Sequence, residues 1–360
     1  MEQRRAYFGF NLTPGIGPAR IARLLEHFGT AAAAWQASTK ELLESGLDAK
    51  SVRSLVTVRD RVNLEQELER VTRLGARVIC IEDTDYPPLL RQIPQPPPLL
   101  YLRGNLVTAD EWALAVVGTR GPSEYGREAT RRIVGELAAA GVTIVSGLAL
   151  GIDAAAHTAA LDASGRTLSV LACGVDVPYP ERNRNLAERI VESGALLSEY
   201  PISTVPIPNN FPARNRLISG LARGTLVIEA GERSGALITV EFALEQGRDV
   251  FAVPGPIYSP KSAGPHHLIR NGASLVTCAQ DILDGLNWTM ATAQQEVRQT
   301  IPETPDEAAL LPLIDYQPRH VDELGRACDM PTPAVLATLA MLELKGVVRQ
   351  AGPMQYVLAR

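Results

Sequence analysis

Arginine, aromatic and amide side chains crowd into two short segments. Pro178-Tyr179-Pro180-Glu181-Arg182-Asn183-Arg184 and Phe211-Pro212-Ala213-Arg214-Asn215-Arg216-Leu217-Ile218-Ser219-Gly220 set four arginines among asparagines, with Tyr179 and Phe211 beside them. That mixture suits single-stranded nucleic acid, because guanidinium groups pair with phosphates while aromatic faces stack on bases. A further arginine, Arg120, lies in Gly118-Thr119-Arg120-Gly121-Pro122-Ser123, between an apolar run and a helical pattern. A loop in that position presents backbone N–H groups and the positive end of a helix, so Gly118 and Thr119 suit a phosphate and Arg120 its charged partner. Gly147, after the next apolar run, and Ser234-Gly235, after Thr225–Glu229, are candidate phosphate loops of the same kind. Their spacing is not GxGxxG, and no acidic residue ends the second run to hold a ribose, which argues against a dinucleotide. No Gly-Lys dipeptide occurs, so a Walker A loop is excluded.

Asp153 and His157 stand four residues apart and share a helix face, but no third residue completes a metal set. They read as a helix-dipole partner and a packed histidine. Cys80, Cys173, Cys278 and Cys328 are widely separated and form no CxxC motif. The expectation is therefore no metal, no cofactor, no disulfide framework and a reducing cytoplasm. No apolar run approaches the ~18 residues of a membrane span, and the first residues lead into no apolar signal region. Net charge is −5 with a pI near 5.7, which opposes a wholly basic surface and leaves room for a local basic groove.

The elements that must position these residues fall into blocks. Three hundred and sixty residues, 46% of them hydrophobic and 5% aromatic, give two to three domains with aliphatic cores. Residues 1–75 read as helical, with Ile21, Leu24, Leu25 and Phe28 at helical spacing. Prolines at 87, 88, 94 and 96–98 interrupt that pattern. From about 112 to 278, apolar runs (113–117, 142–146, 168–172, 225–229 and 250–253) alternate with helical patterns, as stacked βαβ units do. An α/β domain over 76–288 is expected, then a linker over 289–305, then a domain over 306–360 of three helical patterns and a hairpin, the winged-helix order.

With these stretches in order, the chain resembles the DNA-processing protein A family (DprA, also called Smf). The resemblance is carried by Tyr86-Pro87; Val117-Gly118-Thr119-Arg120; Ser146-Gly147-Leu148-Ala149 with Gly151-Ile152-Asp153; Tyr179-Pro180; Ser198-Glu199-Tyr200-Pro201; Phe211-Pro212 with Arg214-Asn215-Arg216; Ser234-Gly235; and Val253-Pro254-Gly255. It departs at His266, where the family carries asparagine. The resemblance implies an extended Rossmann fold in a cytoplasmic homodimer that is not an enzyme. Such a protein would bind and protect single-stranded DNA and load RecA recombinase onto it in natural transformation and homologous recombination. The DNA-contacting role then falls on Arg120, Ser123, Arg182, Phe211, Arg214, Asn215 and Arg216. Leu12-Thr13-Pro14-Gly15-Ile16-Gly17-Pro18 looks like a helix-hairpin-helix turn within an N-terminal SAM-like domain.

A second reading is a Rossmann-type nucleotide-binding enzyme that hydrolyses a glycosidic bond, with Glu229 as acid or nucleophile and Arg120 with the Ser234 loop as phosphate clamp. Against it stand the missing PGGxGT pattern and the want of an obvious second carboxylate. The winged-helix segment carries five basic residues against seven acidic ones over 305–360, and its recognition helix has a single basic residue, Lys345. A protein-contact role is expected there rather than sequence-specific duplex binding.

Overall fold

The structure is a computed structural model that describes residues 2–287, 304–314, 319–328, 330–344, 347–352 and 354–358. It divides into two units, Met1–Ile282 and Leu283–Arg360. The expected linker, 289–305, and Lys345 fall almost wholly outside the described residues.

The first unit opens with six helices, Glu2–Asn11, Pro18–Phe28, Ala31–Gln36, Thr39–Glu44, Ala49–Arg61 and Leu64–Arg73. Their boundaries follow local chemistry. Pro18 opens the second helix, where its missing N–H costs nothing. Ser38 and Glu41 form a reciprocal capping box, and Asp48 accepts from Ser51 N. The helices enclose Tyr7, Phe10, Leu24 and Leu55 against the flank of the sheet. Asn11 fastens them there, donating to the Glu199 carbonyl at 2.9 Å and accepting from the Tyr101 hydroxyl at 3.0 Å.

The sheet has nine strands: β1 Ala76–Cys80, β2 Leu99–Gly104, β3 Ala113–Val117, β4 Thr143–Ser146, β5 Thr167–Val170, β6 Ala195–Ser198, β7 Gly224–Val227, β8 Asp249–Ala252 and β9 Ser274–Leu275. Their order is β1-β2-β6-β5-β4-β3-β7-β8-β9. From β6 to β9 every pair is parallel. The β1–β2 and β2–β6 pairs are antiparallel and extend the sheet under the N-terminal helices. All five residues of β3 are buried, as a central parallel strand covered on both faces requires. The helix Glu124–Ala139 buries Gly126, Thr130, Ile133, Val134, Leu137 and Ala138, one stripe of its surface.

The apolar runs at 113–117, 142–146, 168–172, 225–229 and 250–253 all become parallel strands, with ends shifted by up to two residues. Strands β1, β2, β6 and β9 were not anticipated. β2 begins directly after three prolines, and β6 and β9 are four and two residues long. β9 is too short to show a period, whereas β1, β2 and β6 meet in antiparallel pairs that the βαβ alternation does not announce.

In this order the chain leaves β3 on one side toward β4, β5 and β6, then returns to the other side at β7. The strand order therefore reverses between β3 and β7. The loops leaving their carboxyl ends diverge there and open a crevice, the usual ligand position of such sheets.

The second unit holds helices Pro305–Leu310, Val321–Cys328 and Thr332–Leu344. Strands β10 Arg319–His320, β11 Val348–Gly352 and β12 Gln355–Leu358 form a sheet in the order β10-β12-β11. Leu310, Leu324, Val335, Leu339 and Val348 make its core. Three helices and a β-hairpin are the winged-helix arrangement. Thr332–Leu344 contains no lysine or arginine.

Candidate nucleic-acid interface

The crevice between β3 and β7 is a groove of about 700 Å³. The loop after β3 contributes Gly118, Thr119 and Arg120, the loop after β7 contributes Ser234 and Gly235, and the crossover helix Asn210–Gly220 contributes Phe211, Arg214 and Asn215. Eight of the residues singled out in the sequence thus converge from three separated segments. Tyr179 completes the wall.

Phe211 is the aromatic centre of the groove. Its ring meets the Tyr179 ring edge-on at 5.8 Å between centroids, and the Arg120 guanidinium carbon lies 5.8 Å from its ring centre. Arg120 is exposed, with no acidic partner among the described residues. A cation over a partly open ring is the pairing that single-stranded nucleic acid uses, phosphate to the guanidinium and base to the ring. Asn215 reaches across to the β7 loop, donating to the Gly235 carbonyl at 3.4 Å, and so ties two walls together.

Arg214 is different in kind. It is 4% exposed and donates through Nη1 to the carbonyls of Gly147, at 2.9 Å, and Val170. Asp153, also buried, accepts from Gly147 N at 3.2 Å and Ala149 N at 3.3 Å. Burial pushes the Asp153 carboxyl above its usual range and the Arg214 guanidinium below its own, and each group's charge opposes the other's shift. Gly147 has no side chain because a Cβ there would stand 2.7 Å from the Arg214 guanidinium carbon. Arg214 is therefore the floor of the groove, bracing the β4 and β5 loop ends, and Gly147 is the space it occupies.

Two residues expected to touch DNA lie outside the groove lining and bond to carboxylates of this chain. The Arg216 side chain is 11% exposed and forms an ion pair with the equally buried Glu199. That pair sits outside the groove lining, because successive arginines on the helix point to different faces. Ser123 caps the helix Glu124–Ala139 through Gly126 N at 3.1 Å. Its own N–H and hydroxyl donate to the Glu229 carboxylate at 2.8 and 2.5 Å. The positive end of that helix is thus already filled by a carboxylate of this chain. Gly118 serves packing as well: a Cβ there would lie 2.6 Å from Ile152 Cγ1 and 2.9 Å from the Glu229 carbonyl. Arg182 is exposed on the short turn Glu181–Asn183 beside Tyr179, outside the groove lining. Tyr179, grouped with the arginines as an aromatic in the sequence, and Asp153, which the sequence read as a helix-dipole partner, also line the groove. For Asp153 only the fold could supply that position.

His157 is fully buried. Its Nδ1 lies 2.6 Å from the Thr167 hydroxyl, which itself donates to the Ile144 carbonyl, so Nδ1 carries the proton. Burial, with the nearby Arg214 charge, lowers its pKa to about 3. His266, at the position that departs from the resemblance, has Nε2 2.9 Å from the Gly255 carbonyl and supports the loop after β8. Among the described residues no cluster of His, Cys, Asp and Glu could hold a metal ion, and no helix is long and apolar enough to cross a membrane.

Residues 77–287 match the model of the family described as DNA recombination-mediator protein A, and residues 294–352 match the DprA winged helix domain. Protein Smf of Escherichia coli (strain K12) is 40% identical over 332 residues, covering 89% of this chain and 87% of that protein. The X-ray structure of DNA processing protein A (DprA) from Streptococcus pneumoniae superposes with a TM-score of 0.71 at 37% identity, covering 79% of this chain and 98% of that one. DNA processing protein A from Helicobacter pylori, whose structure is described for its single-stranded DNA binding mode, gives a TM-score of 0.54 at 30% identity. That match covers 59% of this chain and 96% of the other.

Proposed function

We propose that this chain, which belongs to the DNA recombination-mediator protein A family, binds single-stranded DNA along the groove at the β3–β7 crevice. The observation that carries this is Arg120 poised over the Phe211 ring beside Tyr179. A phosphate pairs with Arg120 and a base stacks on Phe211, while Arg214 and Asn215 hold the helix and loops that present them. The DNA is kept from nucleases and passed to RecA recombinase, in natural transformation and in homologous recombination, by a cytoplasmic protein that carries out no turnover. Support for handing DNA to a recombinase comes from the family description alone. Residues 305–360 act as a protein-contact module, since the helix Thr332–Leu344, the longest among the described residues there, carries no lysine or arginine.

A homodimer belongs to the same proposal. The edge strand β9 ends the sheet with Leu275 49% exposed, an open apolar edge of the kind that pairing or packing covers. Leu275→Glu should then shift the protein from dimer to monomer in sedimentation velocity, and an unchanged mass would remove β9 from the interface.

The glycosidic-bond hydrolase has little to stand on in this geometry. Its candidate acid, Glu229, spends both carboxylate oxygens on Ser123. Fluorescence anisotropy with labelled oligo-dT separates the readings. Binding should be outcompeted poorly by duplex, and Arg120→Ala should cost about 1–3 kcal/mol, as loss of a charge-assisted contact does. A wild type that ignores oligo-dT and saturably binds a nucleoside monophosphate would favour the hydrolase.

A further inference from the structure

At the carboxyl edge of the sheet, outside the groove lining, a loop presents an almost bare aromatic ring. Tyr258 is 92% exposed and its neighbour Ile257 is 77% exposed, at the tip of the loop that follows β8. Single exposed apolar residues need no explanation, but this pair sits on a braced stem. The Tyr125 hydroxyl donates to the Pro254 carbonyl at 2.5 Å, and His266 holds Gly255. Ser259 N donates to the Pro256 carbonyl at 3.0 Å, and Ser262 N to the Ser259 carbonyl at 3.0 Å. A backbone fixed on both sides of a bare tyrosine presents that ring at little further loss of conformational freedom.

Its surroundings name the partner. The loop after β8 abuts the loop after β7, where Ala230 N donates to the Lys261 carbonyl at 2.8 Å and Gly264 N to the Ala230 carbonyl at 2.9 Å. The β7 loop continues through exposed Arg233 to Ser234 and Gly235 in the groove wall. Neither Lys261 nor Arg233 has an acidic partner among the described residues. β3, β7 and β8 are consecutive in the sheet, so their loops step sideways by about 4.8 Å per strand. The β8 loop therefore lies about 10 Å along the edge from the β3 loop, within a few nucleotides of it.

We propose that Tyr258 is a second base-stacking platform, with Lys261 and Arg233 as its phosphate partners, so that one DNA strand runs from Phe211 over the Ser234 loop to Tyr258. This rests on the single-strand reading of the groove. It adds a second contact point, a direction of travel along the sheet edge and a minimum length of strand for full affinity.

The test is anisotropy with a ladder of oligo-dT lengths on the full chain. Phe211→Ala should weaken every length. Tyr258→Ala should leave the shortest binding oligonucleotides unaffected and weaken longer ones roughly fivefold to hundredfold, the range expected for one stacked base. Tyr258→Phe should restore wild-type affinity, since the ring and not the hydroxyl stacks. In a long oligonucleotide with a single abasic site moved stepwise, one position should cost nothing further in Tyr258→Ala yet remain costly in Phe211→Ala. Equal affinity of Tyr258→Ala and wild type at all lengths, with Phe211→Ala impaired, overturns the second platform and leaves the groove standing. Absence of binding by the wild type overturns the groove itself.

Discussion

Arg120 and Arg214 line one groove in different roles, one facing solvent and one donating to backbone carbonyls. Arg120→Ala removes a surface cation, and urea unfolding should place its stability within about 0.5 kcal/mol of wild type while DNA affinity falls. Arg214→Ala leaves Asp153 buried without its opposing charge and two carbonyls without a donor. It should destabilise the fold by about 3–5 kcal/mol, as breaking a buried charge pair does. A variant that unfolds like wild type would show that Arg214 is not the brace. His157 sets a pH limit. Its folded pKa near 3 lies below the usual 6.5, so the unfolded chain binds the extra proton between those values and stability falls as pH drops through that window. Unfolding at pH 6.5 and pH 5 should differ by on the order of 2 kcal/mol more in wild type than in His157→Gln, at ~1.4 kcal/mol per pH unit. An equal pH dependence in the two would assign the loss to other groups.

At the scale of elements, the ends of the strands matter more than the strands. Gly118, Gly147 and Gly151 each lie where a loop passes close to another part of the crevice, and Gly151 also holds φ at 88°. These glycines let the loops after β3 and β4 cross closely enough to seat Ile152 and Arg214, so the groove has a packed floor. Gly118→Ala should cost about 1–3 kcal/mol by overpacking against Ile152, read by thermal or urea unfolding. It should also lower DNA affinity, because Arg120 is two residues away. The helix Glu124–Ala139 shows the opposite economy: its positive end, which suits a phosphate, is closed by Glu229.

For the whole molecule, a net charge of −5 coexists with a groove whose exposed charge is cationic. Binding should therefore weaken steeply with salt, and Arg120→Ala should flatten the log–log salt slope by roughly 0.7, the share of one phosphate on a single strand. An unchanged slope would mean that Arg120 meets no phosphate. All groove residues lie in the Met1–Ile282 unit. A chain ending after residue 287 should keep oligo-dT affinity within a few-fold of the full protein, and a large loss would give the winged helix a direct hand in binding.

The sequence by itself determined the alternation of parallel strands and helices, the winged-helix order, the family and the arginine–aromatic chemistry of the groove. Each is written in local period, in turn residues or in ordered motifs, which survive without knowledge of contacts. Only the tertiary structure decided which arginines line the groove. Arg214 and Arg216 lie two residues apart in one motif, and helix rotation sends one to the groove floor and the other to Glu199. It also decided that Ser123 serves Glu229 and that β1, β2, β6 and β9 complete the sheet. These outcomes depend on pairs distant in sequence, such as Ser123 with Glu229 and Arg214 with Gly147. Burial is a property of such pairs, and residue type alone does not encode it.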